Sequence, residues 1–388
     1  MANFKTPSAE SYIKVRSRTE KLCKPLKTED YVVQIATFAS PAKWHLGHVT
    51  WFFEAFILKK YVADYVEYDK NFNFIFNSYY NNLGERVLRA NRGNLSRPTV
   101  EEVYSYRSYV DKAVLKLLDE DAGSEISKLA VLGLNHEQQH QELILTDIKY
   151  MLGHNPLFPE YAADFNLVDD QNQTTGFSAI SEGIYQIGYQ GDGFCYDNEL
   201  GAHKVYLNDF EISNYLITNK EYIEFIDSGA YSDFNLWLDE GWFWLQKSGV
   251  KAPLYWHKID DQWHYYTLAG LKKVKPDAIL SHISFYEAEA FARWKQMRLA
   301  TEFEWEIAGD KLNWGQRWEW TSSAYLPYPN YKKAKGAVGE YNGKFMNNQM
   351  VLRGSSVATA KNHSRKTYRN FFYPNERWQF NGIRLVKC

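Results

Sequence analysis

Two histidines, His136 and His140, stand four residues apart in the segment HEQQH, inside a stretch with the pattern of a helix. That spacing places both imidazole rings on one face of the helix, about one turn apart. Two rings so placed can bind the same metal ion. These residues therefore point to metal chemistry, and further ligands are needed to complete the set.

The segment HEQQH also matches the H-E-x-x-H pattern of zinc-dependent proteases, in which the glutamate acts as the general base. This interpretation needs Glu137 beside the metal and a third ligand downstream, for which His154 is the candidate. His154 lies beyond the end of the predicted helix, which makes this interpretation less favourable. It predicts a zinc enzyme that the substitution Glu137→Gln inactivates.

A better third ligand lies upstream, in the segment WHLGH, which contains His45 and His48 on another predicted helix. Facing helices of a bundle commonly build metal sites from inward side chains. Two histidines from one helix and one from the other would leave coordination positions open for a substrate and O2. Three neutral imidazole nitrogens suit Fe(II), although zinc and copper accept the same ligands. The non-metal alternative is a set of helix histidines held by ordinary hydrogen bonds.

The elements that must position these histidines are helices within residues 1–155. Their boundaries are indicated by capping residues and by apolar spacing. The predicted helices cover Ser8 to Cys23, a stretch capped at Ser40-Pro41, a stretch that begins with the capping box Thr99–Glu102, and a stretch from Ser124 or Glu125 to Gly153. Four such helices predict a four-helix bundle. The longest connection, residues 65–98, is long enough to serve a function.

The second half of the chain has a different sequence pattern. Residues 156–178 are irregular and are interpreted as a linker packed on the surface. After Gly183 the segments are short, and IYQIGY, HKVYLNDFEIS and MVLRGSS have the pattern of strands. Short helices are predicted at Thr218–Phe225 and Ser284–Lys295. Residues 179–388 therefore form a second domain that mixes strands and helices.

The composition excludes several classes of protein. The chain has 388 residues with 45 Lys and Arg against 47 Asp and Glu, so it lacks the basic excess of a general nucleic-acid-binding protein. No apolar run approaches the ~18 residues that a membrane span needs, and the segment MANFKTPSAE lacks the pattern of a signal peptide. Three cysteines are too few for a disulfide framework. We expect a cytoplasmic protein that binds neither nucleic acid nor a membrane.

The segments PAKWHLGHVTWFFE and NHEQQHQEL resemble the N-terminal domain of the sulfoxide synthases of ergothioneine biosynthesis, a branch of the DinB-like bundle proteins. The segments GIYQIG, HISFYEAEAFARW, RLATEFEWE and YRNFFYPNERWQFNGIRL resemble the formylglycine-generating-enzyme (sulfatase-modifying factor) domain, which has a C-type-lectin-like fold. The resemblance covers nearly the whole chain. It implies an α+β protein with a DinB-like four-helix bundle (1–155), a linker (156–178) and a C-type-lectin-like domain (179–388). One departure is Ala300, where this domain commonly has proline.

The resemblance implies that the ligands of an Fe(II) ion are His48, His136 and His140. His45 is then not a ligand and is expected to be partly buried beside Trp44. Glu137 is expected near the site or facing solvent. The substitution Glu137→Gln should then have little effect.

The reaction implied by the resemblance joins a thiol sulfur to the imidazole of hercynine (Nα-trimethylhistidine) with O2 as co-substrate, and gives a sulfoxide. The enzyme is then an oxygen-dependent oxidoreductase with small-molecule substrates. The thiol is cysteine or γ-glutamylcysteine, and the pair Tyr79-Tyr80 resembles a subgroup that favours cysteine. One of these tyrosines is expected to donate a proton at the site; alternatively, they only anchor the loop. Ovothiol-type synthesis on histidine and selenoneine-type synthesis remain open as alternatives.

Two further regions are implied to bind the substrates. Arginines of the long loop would hold the carboxylate of the thiol, since a guanidinium binds a carboxylate through two hydrogen bonds. Aromatic faces would surround the trimethylammonium group. The residues implied are Arg86, Arg89, Arg92, Gln139, Asn370, Phe371 and Phe372. Phe372 stands where some members of the family have an acidic residue. The alternatives are a solvated basic loop and core rings; Trp318, Trp320 and Trp378 are expected in the core.

Two other functional classes can be stated. Formylglycine generation needs reactive cysteines in the second half, where only Cys195 and Cys388 are available. A non-enzymatic bundle protein with a lectin-like binding module would keep the fold without O2 chemistry.

Overall fold

The computed structural model describes residues 7–78, 80, 84–119, 124–163, 165, 174–333 and 342–388. The first half of the chain is helical, as the sequence predicts. Its helices are α1 (Ala9–Cys23), α2 (Ala42–Phe53), α3 (Lys59–Tyr61), α4 (Phe72–Phe76), α5 (Val100–Asp119) and α6 (Ser124–Gly153), with a π-helical turn (Glu54–Leu58) between α2 and α3. The four long helices α1, α2, α5 and α6 pack against one another around a shared apolar core.

The predicted capping box of α5 is confirmed. The backbone N–H of Thr99 donates to Glu102 Oε2 (2.6 Å), and the backbone N–H of Glu102 donates to Thr99 Oγ1 (3.2 Å). The predicted cap at Ser40 is wrong, because α2 begins one residue later and no side chain caps it. The Ser40 hydroxyl instead accepts a hydrogen bond from Arg92, and its backbone N–H donates to Asp147. This serine therefore ties three separate segments together.

The second half is a mixed α/β domain, so the whole chain is of the α+β class, as predicted. Its helices are α7 (Asn219–Asp227), α8 (Asp239–Ser248), α9 (Phe285–Trp294) and α10 (Glu302–Ala308). Its strands are β1 (Phe177–Ile180), β2 (Gly183–Ile187), β3 (His203–Leu207), β4 (Phe210–Ser213), β5 (Trp256–Ile259), β6 (Gln262–Thr267), β7 (Gly270–Lys273), β8 (Met297–Leu299), β9 (Trp318–Ala324), β10 (Met350–Gly354), β11 (Asn370–Phe372), β12 (Asn381–Gly382) and β13 (Leu385–Lys387).

Two small sheets organise this domain. One has the order β1-β4-β13-β8 and the other has the order β11-β10-β9-β12. Two further hairpin-like units pair β2 with β3, and β5 with β6 and β7. In the second sheet β11 is an edge strand, antiparallel to β10 with Phe371 opposite Val351. This edge holds the segment Asn370–Phe372 that the sequence assigns to substrate binding.

The segment between the two halves is partly buried, which contradicts the expectation of a surface linker. The side chain of Tyr161 is only 6% exposed, and its hydroxyl donates to the carbonyl of Leu22 in α1 (2.5 Å). The backbone N–H of Tyr161 donates to Leu268 of the second half (2.9 Å). Strand β1 also begins at Phe177, inside the predicted linker. This segment therefore connects the cores of both halves.

Helix α6 lies between the two halves and contacts both. Residues of the second half, among them Tyr255, Tyr266 and Phe380, belong to the same buried cluster as the bundle core. A helix buried on several sides must satisfy its polar residues internally. In the described part of the chain, no helix combines the length and the apolar character that a bilayer crossing requires.

Candidate metal centre

The structure brings His48, His136 and His140 together, as the sequence predicts. One nitrogen from each ring lies within 4.8 Å of the others, and all three residues are buried. His48 comes from α2, while His136 and His140 come from successive turns of α6. The contact between these two helices therefore creates the cluster.

The hydrogen bonds of the rings indicate which nitrogens face inward. His48 Nε2 lies 3.2 Å from His136 Nε2, while His48 Nδ1 lies 2.6 Å from the carbonyl oxygen of Phe76. A carbonyl only accepts, so Nδ1 of His48 carries the proton and Nε2 presents a lone pair. His140 Nδ1 lies 2.8 Å from His45 Nδ1, which leaves its Nε2 for the cluster.

The rings of the cluster are neutral. Burial lowers the pKa of His136 to about 4, and burial together with the neighbouring imidazoles lowers the pKa of His48 and of His140 well below the ordinary value. Neutral imidazole is the form that binds a metal. His48 Nε2 and His136 Nε2 lie 3.2 Å apart, and the buried His136 Nδ1 has no hydrogen-bond partner among the described residues. A bound cation would accept the ring lone pairs that converge here. The residues present therefore fit a divalent transition-metal ion.

His45 lies behind the cluster and is more buried than expected. It is only 2% exposed, rather than partly buried. Its Nδ1 contacts His140, and its Nε2 lies 3.0 Å from Asp147 Oδ2. Asp147 also accepts hydrogen bonds from the backbone of Ser40 (2.8 Å) and from Trp378 Nε1 (2.9 Å). A chain of contacts thus runs from the second domain to a ring of the cluster.

Arg92 supports the cluster rather than the substrate pocket. Its guanidinium lies 3.3 Å over the ring of Trp44, which in turn stacks on His48 with the ring centroids 4.5 Å apart. Its terminal nitrogens donate to the hydroxyls of Ser40 (2.8 Å) and Ser78 (2.9 Å). Arg92 is 3% exposed. Its guanidinium holds the long loop against α2.

Tyr80 lies in the aromatic layer around the cluster. It is 4% exposed and packs against Trp51 and Phe56, with ring centroids 5.6 and 5.0 Å away. Trp51 stacks on His48 at 5.5 Å. Asn77 holds the Tyr80 backbone through two hydrogen bonds. The other member of the predicted pair, Tyr79, lies outside the described residues.

A pocket of about 170 Å³ lies between α6 and the second domain, next to the turns that carry the cluster histidines. We call it the interdomain pocket. It is lined by five of the residues that the sequence assigns to substrate binding: Arg89, Gln139, Asn370, Phe371 and Phe372. Arg86 is half-buried and does not line this pocket. The structure thus brings a guanidinium, an amide pair and two rings to one cavity.

The polar groups of the interdomain pocket differ in how they are satisfied. Gln139 Nε2 donates to the hydroxyl of Tyr368 (2.7 Å), while Gln139 Oε1 is buried and has no hydrogen-bond partner among the described residues. Glu376, which sequence reasoning missed, also lines the pocket. Burial raises the pKa of Glu376 to about 7, against the lowering effect of Arg89. The pocket therefore contains a buried carboxyl group and an unpartnered amide oxygen.

The second domain is anchored to α6 through indole nitrogens. Trp318 Nε1 donates to Glu142 Oε1 (2.7 Å), and Trp378 Nε1 donates to Asp147. Both indoles are buried, as expected for core residues, and both also line the interdomain pocket. Sequence reasoning missed Glu142 and Asp147. For Asp147 a signal existed, because it follows His140 by seven residues and so lies two turns along the same helix.

Glu137 does not face solvent, so that expectation is wrong; it lies near the cluster, as the other expectation states, because its charge acts on His136. It is fully buried and accepts hydrogen bonds from Arg16 Nη1 (2.9 Å), Arg107 Nη2 (2.6 Å) and Thr19 Oγ1 (2.6 Å). His154 is exposed and donates to the carbonyl of Tyr150. A carboxylate held by two arginines cannot act as a general base, which excludes the metalloprotease interpretation.

Cys195 lacks the environment of a reactive thiol. Burial, together with the negative charge of Glu199, raises its pKa to about 12. A nucleophilic cysteine needs a lowered pKa, because the thiolate is the reactive form. Cys388 is exposed at the C-terminus, and neither residue is disulfide-bonded. These features disfavour formylglycine-type chemistry in the second domain.

Comparison with known proteins divides the chain in the same way as the structure. Residues 11–144 match the DinB superfamily, and residues 164–313 match the sulfatase-modifying factor enzyme 1-like domain. The chain is 27% identical to the hercynine oxygenase of Mycolicibacterium smegmatis over 358 residues, which covers 77% of this chain and 80% of that protein. It is 28% identical to the hercynine oxygenase of Mycobacterium tuberculosis, with 77% of this chain and 80% of that protein covered.

A shorter similarity concerns the second domain alone. The formylglycine-generating enzyme of Streptomyces coelicolor is 27% identical over 184 residues, covering 41% of this chain and 59% of that protein. The two hercynine oxygenases match both halves, whereas this enzyme matches less than half of the chain. The pairing of the two domains is therefore the more informative similarity.

Proposed function

We propose that this chain, a hercynine oxygenase-like protein that joins a DinB domain to a sulfatase-modifying factor domain, is an Fe(II)- and O2-dependent sulfoxide synthase. Its substrates are hercynine and a thiol, cysteine or γ-glutamylcysteine. The observation that carries the proposal is the cluster of three neutral, buried imidazoles beside a pocket lined by the residues assigned to both substrates. The similarity to hercynine oxygenases supports the same substrate.

The overall reaction is balanced without a further reductant. The thiol S–H and the imidazole ring C–H each lose hydrogen, and a C–S bond forms between the two substrates. One oxygen atom of O2 becomes the sulfoxide oxygen and the other leaves as water. A ferrous ion held by His48, His136 and His140 would supply the activation of O2.

The residues of the chain bind and orient hercynine. Phe371 stacks on Tyr325 with centroids 4.1 Å apart, and Phe372 meets Trp378 edge to face at 5.0 Å, so both rings are held in place. Aromatic faces attract a quaternary ammonium, which cannot donate a hydrogen bond. The unpartnered Gln139 Oε1 can accept the imidazole N–H. Fixing both ends of the substrate removes orientational freedom before the reaction.

The thiol substrate is assigned to the side of the pocket that carries Arg89. Arg89 lines the pocket, whereas the terminal nitrogens of Arg92 donate to Ser40 and Ser78. Arg89 is therefore the arginine that binds the thiol carboxylate, and Arg86 is the next candidate. Tyr80, within the aromatic layer on His48, is the proton donor that directs oxidation toward the sulfoxide.

The proposal is tested by loading the protein with Fe(II) without oxygen and then adding hercynine and cysteine in air. We expect oxygen uptake and a product whose mass corresponds to the coupled sulfoxide. Parallel reactions with γ-glutamylcysteine, with histidine and with a selenium donor distinguish the alternatives within this class. A Zn(II)-loaded sample is the control, because zinc has no redox chemistry. No oxygen uptake with any pair would favour the non-enzymatic alternative.

The substitution Tyr80→Phe tests the proton donor. It removes one hydroxyl and keeps the ring that packs on Trp51 and Phe56, so the fold should be unchanged. We expect the product to shift from the sulfoxide toward oxidised thiol, because the sulfur is oxidised before the C–S bond forms. The measurement is the ratio of the two products by mass spectrometry. An unchanged ratio would remove Tyr80 from this role and leave Tyr79 as the candidate.

The substitution Phe372→Leu tests the aromatic binding of the trimethylammonium group. Leucine keeps apolar volume but removes the π face, so we expect the KM for hercynine to rise by about 5- to 30-fold, equivalent to roughly 1–2 kcal/mol. The KM for the thiol should be unchanged. A matched rise in the KM for histidine, which lacks the methyl groups, would show that the ring only shapes the pocket.

A further inference from the structure

The contacts behind the metal cluster fix where protons lie, and this carries an inference about His45 and Asp147. Asp147 accepts hydrogen bonds from two groups that can only donate: the backbone N–H of Ser40 at Oδ2 (2.8 Å) and the indole N–H of Trp378 at Oδ1 (2.9 Å). Both of its oxygens therefore act as acceptors. His45 Nε2, at 3.0 Å from Oδ2, must then carry a proton and donate it.

The proton on His45 Nε2 determines the next contact. A neutral imidazole carries one proton, so His45 Nδ1 presents a lone pair. His140 Nδ1 lies 2.8 Å away and must donate to it. The lone pair of His140 is consequently on Nε2, the ring nitrogen that is left to bind a metal ion together with His48 and His136. The reverse arrangement, with the proton on His45 Nδ1, would place the lone pair of His45 Nε2 against Asp147 Oδ2 at 3.0 Å.

We propose that Asp147 and His45 are positioning residues that hold His140 in the tautomer required to bind the metal. Trp378 links these contacts to the second domain. The inference rests on the proposed three-histidine site. Partners of this kind orient ligating histidines and typically change metal affinity by about 10- to 100-fold. Here the carboxylate acts through an intervening imidazole, so the chain of contacts spans both domains.

The substitution Asp147→Asn is the sharpest test. An amide offers one acceptor atom where the carboxylate offers two, so it cannot satisfy Ser40, Trp378 and His45 together. If the amide nitrogen faces His45, the ring of His45 must present a lone pair at Nε2 and a proton at Nδ1. His140 then loses the acceptor at its Nδ1, and its proton moves to Nε2. If the amide nitrogen faces Trp378, two donors oppose each other.

Two measurements separate positioning from a general structural effect. The first is the ¹⁵N NMR spectrum of histidine-labelled protein without metal, which distinguishes the two tautomers of each ring. We expect the His140 signals to be those of the Nδ1–H form in the wild type and to change in Asp147→Asn. The second is an anaerobic titration with Co(II), followed by its visible absorption, in which we expect affinity to fall by about 10- to 100-fold.

The matched control is Glu142→Gln. Glu142 lies on the same helix, is buried, and accepts hydrogen bonds from Trp318, Ser356 and Thr359, but it has no place in the His45–Asp147 contacts. We expect its Co(II) affinity and its His140 tautomer to equal those of the wild type. Wild-type affinity and an unchanged His140 tautomer in Asp147→Asn would overturn the inference. A wild-type protein that binds no Co(II) would instead contradict the proposed metal site itself.

Discussion

His140→Ala is expected to leave the bundle folded but to abolish stable binding of the metal ion. Complete zinc sites contribute about 10–16 kcal/mol from four ligands, so one imidazole accounts for roughly 2.5–4 kcal/mol, or about 70- to 1,000-fold in affinity. The two remaining rings, His48 and His136, come from different helices, and no third histidine would then complete the set of metal ligands. The measurement is metal content after anaerobic loading and desalting, with far-UV circular dichroism as the test of folding.

The control for this experiment is His154→Ala. His154 follows α6 and is exposed, and its ring nitrogen donates to the backbone carbonyl of Tyr150. We expect this variant to bind one ion per chain, as the wild type does. If His140→Ala retained one ion per chain with unchanged affinity, His140 would not be a ligand. If His154→Ala lost the ion, the downstream ligand of the H-E-x-x-H interpretation would have to be reconsidered.

The histidine cluster could be predicted from the sequence because a helix has a fixed period. A spacing of four places His136 and His140 on one face wherever the helix lies, and the resemblance to a known domain pair selected His48 over His45. The proximity of these three rings in the structure agrees with that selection. The role of His45 was not accessible, because it depends on Asp147 and Trp378, and Trp378 lies far away in sequence.

The loop arginines show where sequence patterns fail. Arg86, Arg89 and Arg92 recur at a spacing of three, and nothing in that spacing distinguishes them. The structure separates them by the path of the loop: Arg89 lines the interdomain pocket, while Arg92 is buried over Trp44. Loop paths are determined by tertiary contacts rather than by local period. A residue-by-residue assignment in such a loop therefore needs the structure.

Glu137 was misplaced for a different reason. An amphipathic helix has one buried face, and His136 and His140 seemed to define that face of α6. In fact α6 packs against the bundle on one side and against the second domain on another. Glu137 therefore contacts Arg107 of the bundle, whereas Gln139 contacts Tyr368 of the second domain. A helix between two domains gives no single polar face from which orientation could be deduced.

Glu137→Gln is therefore expected to lower the stability of the fold while having little effect on the chemistry, as the sequence analysis predicts. Glu137 joins Arg16 and Arg107 in a network with no exposure at the carboxylate. Removing one partner of a buried ion pair typically costs about 3–5 kcal/mol, since the remaining charges stay buried. Asp111 and Glu20 still pair with the two arginines, so a value near 3 kcal/mol is expected.

The acid sensitivity of the wild type should reflect the same network. The pKa of Glu137 falls to about 2, because the two arginines and the Thr19 hydroxyl outweigh the opposing effect of burial. A carboxyl whose pKa is lower in the folded state stabilises the fold above its unfolded pKa, near 4.5, and loses that contribution as the pH falls toward 2. The difference of about 2.5 pKa units corresponds to roughly 3 kcal/mol. Glu137→Gln should remove this part of the acid dependence.

Urea unfolding followed by the helical circular dichroism signal measures both effects, with Glu125→Gln as the control on the same helix. Glu125 is exposed and forms a surface ion pair with Lys128 three residues later, so its replacement should leave the unfolding curve unchanged. A Glu137→Gln protein that is less stable but still oxidises its substrates at low temperature would agree with a structural carboxylate. The opposite result would be a protein of unchanged stability that had lost all activity. It would show that the charge of Glu137 does not stabilise the buried arginine network and that Glu137 takes part in the reaction, as the protease interpretation requires.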